Sequence, residues 1–264
     1  MVELDAAIRS FYRDRYIEED RLSRSGHGQL EFLRTQELLR RLLPVPPATI
    51  LDVGGATGVH ARWLAADGYS VTLVDPLVEH VEKAAAVGTF AAVVGDARQL
   101  DQEDDSVDVT LLLGPLYHLV EAADRARALS EAARVTRPGG VVVAAGISRY
   151  AGLLEYGNNG RLAEENLHLF TDALATGRNY DDPEGFTNAH FHHAEELRSE
   201  FENSGLTDIA VLGVEGPAAP TLDNATLAEV PRLLPSAILL ARLLETDPLM
   251  MSASLHFLAF GRVP

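Results

Sequence analysis

The sequence holds 264 residues with 22 Lys and Arg against 39 Asp and Glu, a formal charge of −17. That balance argues against nucleic-acid acceptors, whose recognition relies on clustered cations that neutralise phosphates. There is no cysteine, which excludes disulfides and thiolate metal sites, and no apolar run approaches the length of a membrane span, the longest candidate (Ala237 to Leu244) being broken by Arg242.

A hydrophobic content of 47% supports a sizeable core. Glu3, Asp5 and Arg9 leave the first residues without the basic-then-apolar form of a secretory signal, and a soluble cytoplasmic protein is expected, with no membrane partner. Residues 1–43 read as a helical segment. Leu4, Ile8, Phe11 and Tyr12 recur at helical spacing, as do Leu30, Leu33, Leu38 and Leu42, with a break at Ser23 to Gly28. Pro44-Val45-Pro46-Pro47 is a stiff connector that ends the helix.

From residue 44 onward the signals alternate between strand and helix, which predicts a mainly parallel sheet with helices on both faces. Strands are expected at Ile50 to Val53, Tyr69 to Asp75, Phe90 to Ala97, Val107 to Leu113 and Val141 to Ala145. Helices are expected at Val59 to Ala66, Leu77 to Ala86 and Ala122 to Thr136, the last closed by Pro138-Gly139-Gly140. Ser148 to Asn188 departs from the alternation, so an insertion over the carboxyl ends of the strands is expected at about 148–190. A helix over Ala194 to Asn203 and a strand over Thr207 to Val214 follow. A second insertion, at about 217–247, is helical around Leu233 to Glu245, and a final strand spans Ser254 to Arg262.

The chain is organised around Thr49 to Gly58, Thr-Ile-Leu-Asp-Val-Gly-Gly-Ala-Thr-Gly: a strand, a tight turn and a helix start. Glycines there let the backbone fold sharply and approach a ligand closely. The dinucleotide pattern G-x-G-x-x-G from Gly54 fails at Ala56 and Val59. The pattern D/E-x-G-x-G-x-G fits as Asp52, Gly54, Ala56 and Gly58, with alanine at one glycine position. Asp75 ends the second strand, 21 residues after Gly54, where an acid can accept hydrogen bonds from ribose hydroxyls. Gly95-Asp96-Ala97 ends the third strand, and Leu113-Gly114-Pro115-Leu116-Tyr117-His118 follows the fourth.

This ordered set, over about residues 48 to 146, resembles the class I S-adenosylmethionine-dependent methyltransferases, in particular the small-molecule group around the ubiquinone-biosynthesis C-methyltransferases. The resemblance implies a Rossmann-like, doubly wound, seven-stranded α/β sheet with an antiparallel last strand. It also implies S-adenosylmethionine as cofactor and S-adenosylhomocysteine as product. Gly54, Ala56 and Gly58 would line the aminoacyl chain, Asp52 would hydrogen-bond the loop or the cofactor ammonium, and Asp75 would hold the ribose, Asp96 and Ala97 the adenine, and Leu113 the sulfonium side. In the resembled fold, N-terminal helices cross the cofactor mouth, which makes Tyr12, Tyr16 and Arg34 candidate lid residues, Arg34 as a bidentate grip on the cofactor carboxylate.

Tyr117 and His118 are the candidate catalytic residues, beside the departing methyl group. Tyr16, His190 and His192 are candidates for the acceptor pocket. The histidine cluster His190, His192 and His193 lacks a complete ligand set, so no metal is expected. The expected activity is methyl transfer to nitrogen, oxygen or carbon of a small biosynthetic metabolite by a monomer or homodimer. A non-methylating reaction such as a cyclisation, or a cofactor-sensing regulator, remains open on the same fold.

Overall fold

The computed structural model describes residues 6–12, 21–182 and 185–264. After the short helix α1 (Ala6–Ser10), α2 (Gly26–Leu42) begins at the predicted break, where the Ser25 hydroxyl accepts the Gly28 amide at 3.0 Å. The alternating core follows: β1 (Thr49–Val53), α3 (Val59–Ala66), β2 (Ser70–Asp75), α4 (Val78–Ala85), β3 (Ala91–Val94) and β4 (Val107–Leu112). Next come α5 (Pro115–His118), α6 (Ala122–Val135) and β5 (Thr136–Ser148). The second half carries α7 (Ala151–Asn158), α8 (Leu167–Thr176), β6 (Arg178–Asn179), β7 (Ala189–His192), α9 (Ala194–Asn203) and β8 (Thr207–Gly213). It ends with α10 (Ala219–Asp223), α11 (Val230–Leu244) and β9 (His256–Arg262).

The main sheet runs β3-β2-β1-β4-β5-β9-β8. All pairings from β3 to β5 are parallel, while β9 lies antiparallel between β5 and β8, as expected for the last strand. One addition was not anticipated: β7 continues the sheet beyond the end of β5, and β6 pairs antiparallel to it, so the first inserted region contributes a small ribbon. The predicted turn at Arg137 to Gly140 belongs to β5 itself. The β4–β5 register shifts between Val107 and Val109, absorbing the extra residues, with Gly139 at φ +76°.

Both faces of the sheet are covered, which is why its strands read as unbroken apolar runs. Alternation still sorts them by side: Ile50 packs with Leu64 and Leu39 on one face, and Leu51 and Val53 pack with Leu129 and Phe201 on the other. Among the described residues, no helix is long and apolar enough to cross a membrane.

The helix α11 is fastened to α2 by charge. Arg34, fully buried, donates from Nε to the Val214 carbonyl at 3.2 Å, from one terminal nitrogen to Glu37 at 2.6 Å and from the other to Glu245. Arg41 grips the second oxygen of Glu245 at 2.7 Å, and Arg242 reaches Glu37 at 2.7 Å. Removing one partner from such a group leaves charge and carbonyl unpaired. Arg34→Ala is therefore expected to cost about 3 kcal/mol of stability, read as a lower urea midpoint at unchanged denaturant slope, with affinity for S-adenosylhomocysteine unaltered.

Candidate functional site

The turn after β1 sits at the carboxyl ends of β1, β2 and β4, where an open α/β sheet forms its ligand crevice. Gly54 and Gly58 adopt φ of +70° and +85°. A Cβ on Gly54 would stand 2.6 Å from the Pro115 ring, and one on Gly58 would stand 2.5 Å from Phe90, so the turn is packed too closely for side chains. Ala56 also takes a left-handed conformation, φ +48°. Its amide donates to Asp75 Oδ2 at 2.9 Å, while Asp75 Oδ1 accepts from the Leu77 amide at 3.0 Å and faces His80 Nδ1 at 3.1 Å. The acid at the end of β2 thus holds the β1 turn in place, and Oδ2 keeps capacity for a further donor.

Asp52, Gly54, Ala56, Asp75, Asp96, Ala97 and Leu113 line one continuous cavity, together with Tyr117 and His118. Asp52 is 1% exposed and its Oδ2 has no hydrogen-bond partner among the described residues. Burial, with the charge of Asp75 adding to it, pushes its carboxyl up to about 7. Asp96 is oriented by Arg98, which donates from its amide, Nε and a terminal nitrogen at 2.7–2.9 Å. Burial opposes ionisation of Asp96, but the Arg98 bonds outweigh it and hold the carboxyl below its ordinary range.

Tyr117 packs edge-on against His118, with ring centroids 4.8 Å apart. His118 Nε2 lies 2.7 Å from the Tyr12 hydroxyl, and its ring stacks beside Phe186. Burial lowers the imidazole to about 4, so His118 is neutral at pH 7 and a weaker base than a free histidine. Residues not anticipated in this cavity are His60 and His80, on helices that begin just after the motif residues, and Arg21 and Arg98.

Three expectations are corrected. Arg34 does not line the cavity; its guanidinium is consumed by Glu37, Glu245 and the Val214 carbonyl. His190 and His192 line neither this cavity nor the neighbouring one. They project from the same face of β7 onto α9, where His190 meets Glu196 at 2.8 Å and His192 meets Glu200 at 3.3 Å. Arg149 and Arg125 complete those carboxylates. His190, His192 and Glu200 do bring their donor atoms within 4.8 Å of one another, Glu200 being a neighbour not anticipated from the sequence. Gly58 shapes the turn from behind without lining the cavity, and Tyr16 lies outside the described residues.

A second cavity adjoins the first, and Tyr12, Arg21 and Tyr117 line both. Its walls include Phe11, Tyr156, Phe170 and Phe186, with Glu31, Glu155, Asp182 and Asp223 among them. His27 and His256, stacked 6.0 Å apart, lie against Glu215 at 3.3 and 2.5 Å. Burial alone would lower His27, but Glu215, Glu31 and Asp223 overcome it and raise the imidazole to about 9.

A glycine turn at the crevice, an acid closing β2, and sheet order 3-2-1-4-5 followed by an antiparallel hairpin define the class I S-adenosylmethionine-dependent methyltransferase fold. Residues 51–144 match the methyltransferase domain family. An uncharacterized methyltransferase of Mycobacterium tuberculosis is 38% identical over 105 residues, 39% of this chain and 42% of that protein. The ubiquinone/menaquinone biosynthesis C-methyltransferase of Acidiphilium cryptum is 34% identical over 114 residues, 40% of this chain and 44% of that protein. The match thus spans less than half the length of these curated relatives. The crystal structure of an S-adenosylmethionine-dependent methyltransferase from Methanosarcina mazei superposes with a TM-score of 0.59 at 20% identity, covering 85% of this chain and 96% of that one, a likeness of fold.

The buried carboxyl of Asp52 makes a measurable pH signature. Its proton is held in the folded state up to about 7 but lost near 3.8 when unfolded. The folded state therefore binds more protons between those values, and Asp52 removes stability as pH rises through that window, at up to about 1.4 kcal/mol per pH unit. Asp52→Asn is expected to gain stability over the wild type progressively from pH 4 to pH 7, as followed by urea unfolding at a series of pH values.

Proposed function

We propose that the chain transfers the methyl group of S-adenosylmethionine to a small organic acceptor held in the second cavity. The observation that carries this reading is the pair of adjoining cavities, one walled by the glycine turn and the strand-end acids, the other by aromatics and charges, meeting at Tyr12, Arg21 and Tyr117.

Bound there, S-adenosylmethionine supplies an electrophilic methyl group on a cationic sulfur. The residues present fit it. The unpartnered Oδ2 of Asp52 offers a buried acceptor for the cofactor ammonium, and ionisation of that carboxyl is favoured once a cation lies beside it. Gly54 and Ala56 present backbone to the aminoacyl chain, and Asp75 Oδ2 presents its remaining acceptor capacity to the ribose. Asp96, fixed by Arg98, and Ala97 take the adenine edge, and Leu113 borders the sulfonium.

Displacement at a sulfonium needs alignment and exclusion of water more than it needs covalent help. Tyr117 stands between the cavities and orients the acceptor, with His118 beside it on the cofactor side, its ring fixed by Tyr12. A neutral His118 takes a proton from an acceptor that has already become acidic, not from an ordinary alcohol. The segments at about 148–190 and 217–247 act as the cap over the acceptor, with residues 1–43 as a lid. An acidic exterior fits a metabolite better than a nucleic acid. The protein works as a cytoplasmic monomer or homodimer.

The test is calorimetry with S-adenosylmethionine, S-adenosylhomocysteine and NAD(H), followed by detection of S-adenosylhomocysteine formed with panels of amine, hydroxyl and carbon acceptors. The adenosyl compounds bind and NAD(H) does not. Asp75→Ala weakens binding more than tenfold, about 1.4 kcal/mol or above, and Asp75→Asn does so less. Unchanged affinity in Asp75→Ala would remove the ribose assignment. Tight binding with the methyl group retained under every acceptor would point to a non-methylating reaction on this fold.

A further inference from the structure

The second cavity contains donors that methyl transfer does not require. His27 and Glu31 lie four residues apart on α2, so they share one face of that helix. Glu215 follows β8, and His256 opens β9. From these three separate parts of the chain, two imidazoles and two carboxylates bring donor atoms within 4.8 Å of one another. Four donors at 2.0–2.2 Å from one ion stand roughly 3.4 Å apart in a tetrahedron. Small side-chain movements therefore suffice to close the set around a cation.

We infer that His27, Glu31, Glu215 and His256 form a binding site for one divalent first-row transition-metal ion in the wall of the acceptor cavity. Two imidazole nitrogens and two carboxylate oxygens are the donor set of Zn²⁺, Fe²⁺, Co²⁺ or Mn²⁺, and there is no thiolate to favour softer ions.

The surroundings of the four residues support the assignment. The Glu215 side chain is fully buried; its Oε2 accepts the His256 backbone amide at 3.0 Å, which aims Oε1 at both imidazoles, 3.3 Å from His27 Nε2 and 2.5 Å from His256 Nδ1. The other nitrogen of His27, Nδ1, faces Asp223 at 3.6 Å. A carboxylate behind a histidine, with the opposite ring nitrogen turned to the ion, is the arrangement by which metal-ligating histidines are oriented. Arg21 holds Glu31 Oε2 at 2.6 Å, and that same oxygen stands 3.9 Å from His256 Nδ1, so the Glu31 carboxylate is fixed against the imidazoles. Glu215 closes the back of the set, whereas His27, Glu31 and His256 line the cavity, so a fifth coordination position, taken up beyond the four donors, would face the acceptor space. On the methyltransferase reading, an acceptor oxygen or nitrogen placed there would be oriented and made more acidic by the ion.

The experiment uses tag-free, metal-stripped full-length protein titrated with Co²⁺ and followed by visible absorption, with Zn²⁺ as competitor. One equivalent of Co²⁺ is expected to bind with ligand-field bands, and Zn²⁺ to displace it. His27→Gln and His256→Gln, both at the cavity wall, are expected to weaken binding at least tenfold, and Asp223→Asn, a positioning change, by about tenfold. S-adenosylhomocysteine affinity, measured on the same samples, stays at the wild-type value in all three. Absence of saturable Co²⁺ or Zn²⁺ binding in the wild type, or undiminished binding in both histidine variants, overturns the site. Metal binding without S-adenosylhomocysteine binding would keep the site and remove the methyltransferase reading, and the converse result would do the reverse.

Discussion

The bond from the Ala56 amide to Asp75 Oδ2 joins the turn after β1 to the end of β2, and the geometry of the crevice depends on it. Through its other oxygen Asp75 also fixes the entry to α4 and the ring of His80. One carboxylate therefore sets the path of two strand-to-helix turns. Its charge has a second effect, because Asp52 lies near enough for Asp75 to add to the burial that keeps it protonated. Asp52 and Asp75, two of the three carboxyl groups lining the crevice, are in unlike states, one engaged by backbone donors and the other buried without a partner among the described residues.

The two cavities differ in how they are built. The first is made of short loops that directly follow strands, so each contributor lies beside an element whose pattern is visible locally: Gly54 after β1, Asp75 at the end of β2, Leu113 after β4. The second is closed by residues brought together across the chain, with His27 and Glu215 separated by 188 positions. Nothing in the neighbourhood of Glu215 or His256 marks them as partners of α2; only the antiparallel insertion of β9 between β5 and β8 brings them there.

This explains what could be read from the residues alone. Strand and helix periodicity marked the parallel core strands and the α9 boundaries, whereas the reversed last strand was expected only from the family resemblance. Residue chemistry without a known neighbour was not sufficient. Arg34 has the right group for a carboxylate, and it does bind carboxylates, but they belong to Glu37 and Glu245. His190 and His192 have the strand alternation that puts both on one side, and that side faces two glutamates one helical turn apart on α9. In each case an ion pair within the fold satisfies a group whose type alone suggested a ligand.

The alanine inside the glycine motif has a meaning of its own. Ala56 holds φ +48°, a conformation that costs an L-residue roughly 1 to 2 kcal/mol. Glycine would relieve that strain, yet it would also widen the range of conformations open to the unfolded chain, a loss of roughly 0.4 to 1 kcal/mol. The two contributions oppose each other, with the strain the larger, so glycine would be favoured by a net of less than about 1 kcal/mol, while the amide that Asp75 needs is supplied by either residue. The methyl group of Ala56 thus costs the fold little, and the hydrogen bond fixes the backbone that a ligand meets.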